Sequence, residues 1–115
     1  MTIRVEGETI YSAEDISLPF VSDKILTAKT KGIVIQAELV GAPDGFLDIE
    51  VSSQMEEKSE TVTIWSRIHR ETVLGVEDYL FFLKDAGYKW FRVRWTPNGG
   101  SAGSLSARYT YKGEW

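Results

Sequence analysis

The amino-acid sequence predicts an all-β protein, an antiparallel β-sandwich of the jelly-roll type with about eight strands. Three observations predict this class. Apolar and polar side chains alternate with a period of two along much of the chain, which puts one face of each strand in a core and the other in water. Turn-forming residues separate the alternating segments. Finally, the sequence shows no sustained helical period.

The N-terminal half contains two clear strands and two rougher ones. A short strand is predicted over residues 2–5, and residues 1–14 as a whole are polar enough to form an N-terminal arm or an edge segment. A rougher strand follows over residues 15–20. The segment 32–40 alternates clearly, with Ile33, Ile35, Ala37 and Leu39 on one face; 46–52 does the same with Leu47, Ile49 and Val51. The Gly-Ala-Pro-Asp-Gly run at 41–45 predicts the turn between them, because glycine tolerates positive φ and proline fixes φ.

The C-terminal half also consists of predicted strands separated by turns. Irregular strands are predicted over residues 61–66 and 79–83, preceded by a polar loop over 53–58. An Asp-Ala-Gly turn at 85–87 leads into a strand over 88–96, where Phe91, Val93 and Trp95 share the core face. The glycine-rich run 97–103 predicts a hairpin loop before the last strand, 104–112.

Composition limits the function classes. The length of 115 residues suits one domain spanning residues 1–115. The net charge of −4 argues against a general affinity for nucleic acid, which normally requires a basic surface. The absence of cysteine excludes disulfides and thiolate metal sites. No apolar run reaches membrane-spanning length, and the N-terminus lacks the apolar core of a signal peptide, so we expect a protein made in the cytoplasm and used or assembled there.

Catalytic and metal-binding motifs find little support. His69, the single histidine, is placed at a strand end and interpreted as structural, and no Gly-x-Ser-x-Gly motif accompanies it. Asp44 and Asp48 do not have the spacing of an EF-hand loop, so a solvated face is favoured over a calcium site. The 97–103 loop lacks the Gly-Lys-Ser/Thr ending of a phosphate loop. We therefore expect no enzymatic activity and no cofactor.

One strand face is a candidate contact surface. Alternation places Trp90, Arg92 and Arg94 opposite the core residues of the same strand, and predicts an exposed tryptophan flanked by arginines. Tryptophan and arginine are enriched at protein–protein interfaces, so a partner protein is favoured over a nucleic acid. Trp115, an apolar residue at a terminus that would normally fray, is a second candidate anchor.

Several segments resemble a recurrent pattern in small β-sandwich structural proteins of tailed bacteriophages and prophages, whose architecture is similar to the discoidin or galactose-binding-like sandwich. The matching segments are LDIEVSSQ (47–54), WSRI (65–68), YLFFLKDAGYKWFRVRWTPNGG (79–100) and GSLSARYTYKG (103–113). The resemblance covers roughly residues 33–113. This chain departs from the pattern at 53–61, where the acidic loop SQMEEKSET replaces a short Asn-Asp-Gly-type turn.

The resemblance implies a virion structural protein, either a capsid decoration or accessory protein or a small tail or baseplate component. Such a protein would be assembled into the virion in the host cytoplasm, as a homo-oligomer in contact with other virion proteins. It implies no catalytic residues, because the shared positions are those of folding: Gly87 at a turn, Tyr88 as a tyrosine corner, and Leu105 and Ala107 beneath the core strand. The alternative is a carbohydrate-binding module of the galactose-binding-like type, in which an exposed aromatic would stack on a sugar.

Overall fold

Two antiparallel β-sheets pack face to face in the computed structural model of the chain, which describes residues 3–26, 30–53, 63–84 and 89–114. The strands, in chain order, are β1 (Ile3–Asp15), β2 (Phe20–Val21), β3 (Ile25–Leu26), β4 (Thr30–Ala42), β5 (Asp44–Ser52), β6 (Ser66–Leu74), β7 (Glu77–Lys84), β8 (Trp90–Pro97) and β9 (Ala102–Glu114). One sheet has the order β1-β9-β4-β7, and the other has the order β2-β8-β5-β6, with β3 also pairing with β8. The described residues contain strands and turns without a helix, so the predicted all-β class is confirmed.

The topology is that of a jelly roll. The short strands β2 and β3 both pair with β8, β2 opposite Arg94–Trp95 and β3 opposite Trp90–Phe91. They therefore share one strand position, which leaves two sheets of four positions each. Among the connections between consecutive strands, most pass from one sheet to the other rather than forming hairpins within a sheet.

The core lies between the sheets and is made by the alternation that the sequence shows. Trp95, Phe91 and Val93 of β8 are fully buried, as predicted, and they belong to one core cluster with buried residues of β4, β5 and β9. Two buried polar contacts join distant parts of the chain to β8. The Trp95 indole N–H donates to the Ile16 carbonyl oxygen at 2.9 Å, and the Tyr11 hydroxyl donates to the Val93 carbonyl oxygen at 2.6 Å.

The first residues form an edge strand. β1 pairs with β9 from Ile3 to Asp15, with irregularities around Tyr11, and thus merges the predicted 2–5 strand with the polar segment after it. The predicted strand at 15–20 is wrong over most of its length. After Asp15 the chain turns, and strand pairing resumes only at Phe20. The Ser17 amide donates to the Asp15 carboxylate at 2.9 Å and so stabilises this turn.

The predicted hairpin at 97–103 is instead a connection between the two sheets. β8 belongs to one sheet and β9 to the other, so Asn98 to Ser101 span the edge of the sandwich. Gly103, with φ of 121°, lies directly opposite Gly41 of β4, and a side chain there would collide with the Val40 backbone oxygen. Glycine is therefore required for this close approach of β9 to β4.

The strand predicted at 61–66 is wrong at residues 63–65, which belong to no strand, and residues 61–62 lie outside the described ranges. β6 starts at Ser66, and His69 therefore lies within a strand rather than at its end. Seven of the first eight β6 side chains are exposed, with Val73 the buried one, so this edge strand carries almost no alternation to detect. The predicted turn at 85–87, the tyrosine corner at Tyr88 and the acidic part of the 53–61 loop from residue 54 onward lie outside the described residues.

Candidate interaction surface on the five-stranded sheet

The outer face of the five-stranded sheet brings together the charged residues of three neighbouring strands. β5 lies between β8 and β6, and its register places Asp48 opposite Arg94 on one side and Arg70 on the other. Glu50 lies opposite Arg92 of β8. We call this surface the arginine face and define it by eight residues: Phe46, Asp48, Glu50, Trp65, Arg70, Trp90, Arg92 and Arg94.

Glu50 holds both arginines of β8. The Arg92 Nε donates to Glu50 Oε1 at 2.6 Å, and the Arg94 Nε lies 3.2 Å and 3.3 Å from the two carboxylate oxygens. The Arg92 side chain is 19% exposed and that of Glu50 is 15% exposed, whereas Arg94 retains 38%. Arg92 is therefore fixed within the face, and Arg94 presents more of its guanidinium to solvent.

Asp48 makes a second ion pair, in which the carboxylate is almost fully buried. Its carboxylate accepts two hydrogen bonds from Arg70, from Nε at 2.8 Å and from Nη2 at 2.9 Å, in the bidentate geometry that arginine favours. The Asp48 side chain is 2% exposed, whereas that of Arg70 is 39% exposed. The prediction that Asp48 lies on a solvated face is therefore wrong, because Arg70 covers it from the neighbouring strand.

Aromatic rings complete the arginine face. The Arg92 Cζ lies 4.1 Å from the centre of the Trp65 ring, and the Arg70 Cζ lies 4.5 Å from that of Phe46. These distances suit cation–π contact. Each of these two guanidiniums thus has a carboxylate partner and an aromatic partner, which restricts its orientation.

Trp90 is on the predicted face but is not exposed. Alternation placed it correctly with Arg92 and Arg94, yet only 6% of its surface is accessible. The Nζ atoms of Lys24 and Lys89 lie 3.8 Å and 5.3 Å from the ring centre. Both distances suit cation–π contact, so the two ammonium groups lie over the ring. The prediction of an exposed Trp90 is therefore wrong, and Trp115 lies outside the described residues.

The two acidic residues are what sequence reasoning missed. Alternation puts Asp48 and Glu50 on the polar face of β5, as it puts Arg92 and Arg94 on the polar face of β8, but it does not show that the two strands are neighbours. The sequence did contain a signal: two acids on β5 and two arginines on β8 have the same two-residue spacing. Opposite charges on facing positions stabilise neighbouring strands.

A shallow depression lies on the outer face of the other sheet, with a volume of about 390 Å³. Its lining is polar apart from Ala107 and Tyr11. The Tyr11 hydroxyl is already committed to the Val93 carbonyl, and burial raises the pKa of this phenol. The depression therefore lacks the exposed aromatic platform on which a sugar ring would stack.

The other residues considered for catalysis or metal binding make contacts within the fold. The His69 ring lies 5.8 Å from the Phe81 ring, between the edges of the two sheets. The Asp44 carboxylate accepts a hydrogen bond from the Asn98 amide at 3.0 Å. Among the residues described, no three histidine, aspartate or glutamate side chains gather as a metal site would require. The described part of the chain also has no helix with the length and apolarity needed to cross a membrane.

Comparison with known proteins shows likeness in fold alone. No protein-family model matches the chain, and no curated protein matches its sequence. The SPBc2 prophage-derived protein YomS has a similar structure, with a TM-score of 0.65 at 8% identity, covering 97% of this chain and 96% of YomS.

Two further solved structures are less similar. A family 29 carbohydrate-binding module from Piromyces equi gives a TM-score of 0.49 at 11% identity, covering 96% of this chain and 91% of the module. A chain of infectious bursal disease virus, Gx strain, gives 0.48 at 13% identity, covering 96% of this chain and 32% of the viral chain. Likenesses of this strength support no inference about function.

Proposed function

We propose that this chain is a bacteriophage virion structural protein, either a capsid decoration or accessory protein or a small tail or baseplate component. It acts by contacts with itself and with other virion proteins rather than by catalysis. The observation that carries the proposal is the likeness to prophage-derived YomS over nearly the whole length of both chains. The resemblance of several segments to phage sandwich proteins is in line with this proposal, although no family model matches the chain.

The arginine face supplies a suitable contact surface. Arginine and aromatic residues are the types enriched at interface cores. Arg70 and Arg94 remain 39% and 38% exposed. Asp48 and the Phe46 ring restrict the movement of Arg70, and Glu50 restricts that of Arg94. Ordered side chains lose less conformational entropy on binding than mobile ones do, so this arrangement favours a specific protein partner.

Association with particles tests the proposal. The chain would be tagged at its own genomic locus, lytic growth induced, and particles separated on a density gradient before quantitative mass spectrometry. We expect the tagged chain to band with the particles in a fixed ratio to the major capsid protein. Recovery only among the soluble proteins at the top of the gradient would contradict the proposal.

Two alanine variants locate the contact. Arg94→Ala removes an exposed guanidinium from the arginine face, and Arg108→Ala removes one from the outer face of the opposite sheet, where Arg108 lies opposite Gln36. Loss of an arginine at an interface hot spot weakens binding by about tenfold or more. We therefore expect R94A to lower the particle-bound fraction and R108A to leave it unchanged, with thermal unfolding confirming that both variants fold.

The carbohydrate-binding alternative remains a prediction that the same protein can test. The buried Trp90 does not provide the exposed platform on which that alternative depended. A glycan array probed with the purified chain decides between the two. Specific binding of a glycan by a chain that is absent from particles would favour the module over the virion protein.

A further inference from the structure

Among the edge strands that the structure describes, one lacks the usual protection against strand pairing. Edge strands carry unpaired backbone groups, and proteins protect them with bulges, charges or very short strands. β1 is irregular around Tyr11, and β2 and β3 have two residues each. β6 has a bulge opposite Ile49 and Glu50 and carries mainly charged and polar side chains.

β7 differs from these edges. It pairs with β4 over eight consecutive residue pairs, from Leu39 with Glu77 to Gly32 with Lys84, without a register shift. Its outer face displays Leu80 and Phe82, which are 60% and 63% exposed. Its inner face is anchored in the core by Phe81 and Leu83, which are 4% and 3% exposed. A long, regular and apolar edge of this kind is a site of association.

We propose that β7 pairs in antiparallel fashion with β7 of a second copy of this chain, about a two-fold axis at Phe81. The two four-stranded sheets would then form one continuous eight-stranded sheet. The proposal rests on the proposed function in one respect, namely that the protein acts through contacts with itself. It names the strand and the register of that contact.

Self-complementarity selects this register. Pairing about Phe81 sets Leu80 opposite Phe82 of the second copy, and the two-fold axis repeats this apolar pair. It also sets residue 78, an aspartate, opposite residue 84, a lysine, at both ends of the ladder. Both kinds of cross-strand pair are stabilising.

The neighbouring registers are less complementary. A shift by one residue would place outward side chains opposite inward ones, because side chains alternate with a period of two. Pairing centred on Leu80 would bring Asp78 opposite Phe82, and pairing centred on Phe82 would bring Leu80 opposite Lys84. The pairing about Phe81 alone joins apolar to apolar and acid to base.

Analytical ultracentrifugation of the purified chain, from about 1 µM to about 1 mM, tests the proposal. We expect a monomer–dimer equilibrium for the wild type. Leu80→Glu would bring an unpaired charge into the interface and weaken dimerisation by about a hundredfold or more. Leu18→Glu is the matched control, because Leu18 is 64% exposed and lies in the turn after β1. We expect it to dimerise as the wild type does.

Charge reversal tests the register itself. In Asp78→Lys and Lys84→Asp homodimers, like charges meet at both ends of the ladder, and each should dimerise about tenfold more weakly than the wild type. When the two variants are mixed, the opposed charges again attract, so the heterodimer should form with nearly wild-type affinity. Mass spectrometry of the mixture, with one variant isotopically labelled, measures the heterodimer fraction.

Several results would overturn the pairing. A wild-type monomer throughout the concentration range would do so, as would L80E dimerising as well as L18E, or a mixture of the charge variants no more dimeric than either alone. A monomeric chain that bands with particles would overturn the β7 pairing and leave the virion proposal intact. A β7 dimer absent from particles would support the pairing while contradicting the virion role.

Discussion

Replacing Arg70 with methionine tests the ion pair that contains the most buried carboxylate of the arginine face. The change keeps much of the aliphatic stem but removes the guanidinium, leaving the Asp48 carboxylate in a site where its side chain is 2% exposed. Breaking a fully buried pair in this way costs about 3–5 kcal/mol of folding free energy. Because the Arg70 side chain is 39% exposed, water can hydrate part of the vacated site, and we expect a loss of about 2–3 kcal/mol.

Arg94→Met is the matched control. The Arg94 side chain is 38% exposed, nearly the same as that of Arg70, but its partner Glu50 is 15% exposed. Glu50 also keeps its 2.6 Å contact with Arg92 when Arg94 is removed. The remaining carboxylate is neither fully buried nor unpaired, so we expect R94M to lose less than about 1 kcal/mol.

Urea unfolding at neutral pH measures both variants, and their m-values should match that of the wild type. The cycle is completed by Asp48→Leu and by the D48L/R70M double variant, which replaces the ion pair with two apolar side chains. Such replacements are often neutral, so the double variant should be more stable than R70M alone by about 2 kcal/mol. Losses for R70M and R94M that agree within about 0.5 kcal/mol would show that the buried state of Asp48 has no energetic consequence, and would refute the reasoning.

Two further substitutions, with a third as a control, test the sandwich itself. Tyr11→Phe removes the 2.6 Å hydrogen bond to Val93 and should lower stability at neutral pH by about 1–2 kcal/mol. Burial raises the pKa of the Tyr11 phenol in the folded protein. Its contribution to stability is therefore fully present below the unfolded pKa of about 10 and is lost as the pH rises above that value. Urea titrations at several alkaline pH values should show a smaller loss of stability for Y11F than for the wild type. Gly103→Ala should lose about 2 kcal/mol or more, because Gly103 has positive φ and lies against the Val40 backbone oxygen, whereas Gly99→Ala meets nothing within 4 Å and should change stability by less than about 0.5 kcal/mol. Equal thermal midpoints for the two alanine variants would contradict the proposed close approach of β4 and β9.

The central strands could be predicted because each has one buried face. β4, β5, β8 and β9 all alternate in the sequence, and the predicted core residues of β8 are fully buried. Burial forces apolar side chains onto every second position, which is the signal that the prediction used. The errors at these strands are confined to their ends, where turn residues such as Asp44 and Gly45 proved to belong to β5.

The edges and the connections could not be predicted in the same way. Most side chains of the edge strand β6 are exposed to solvent. Few of its positions therefore need an apolar residue, and the sequence shows little alternation. The 98–101 connection has the composition of a hairpin, but turn composition specifies a reversal of the chain and not which sheet the next strand joins. That choice depends on the pairing of β9 with β1 and β4, which are distant in sequence.

For the candidate site, the sequence predicted which strand face carries the residues but not which of them are exposed. Alternation assigned Trp90, Arg92 and Arg94 to one face correctly, because a face is a local property of a strand. Exposure depends on what lies above that face. Lys24 comes from the segment between β2 and β3, and its position over the Trp90 ring follows from pairing that the local sequence does not encode.

The two surfaces proposed for binding differ in what a partner must displace. On the arginine face, the guanidiniums of Arg92 and Arg70 already contact carboxylates and rings. A partner there exchanges existing contacts for new ones, which favours selectivity more than affinity. At β7, Leu80 and Phe82 are exposed to water on their outer side. Covering them removes apolar surface from water without breaking existing ion pairs of these side chains. We therefore expect self-association to draw its affinity from β7, while recognition of a second protein draws its specificity from the arginine face. R94A should accordingly leave the dimerisation constant unchanged while lowering particle binding, and L80E should weaken dimerisation by about a hundredfold or more.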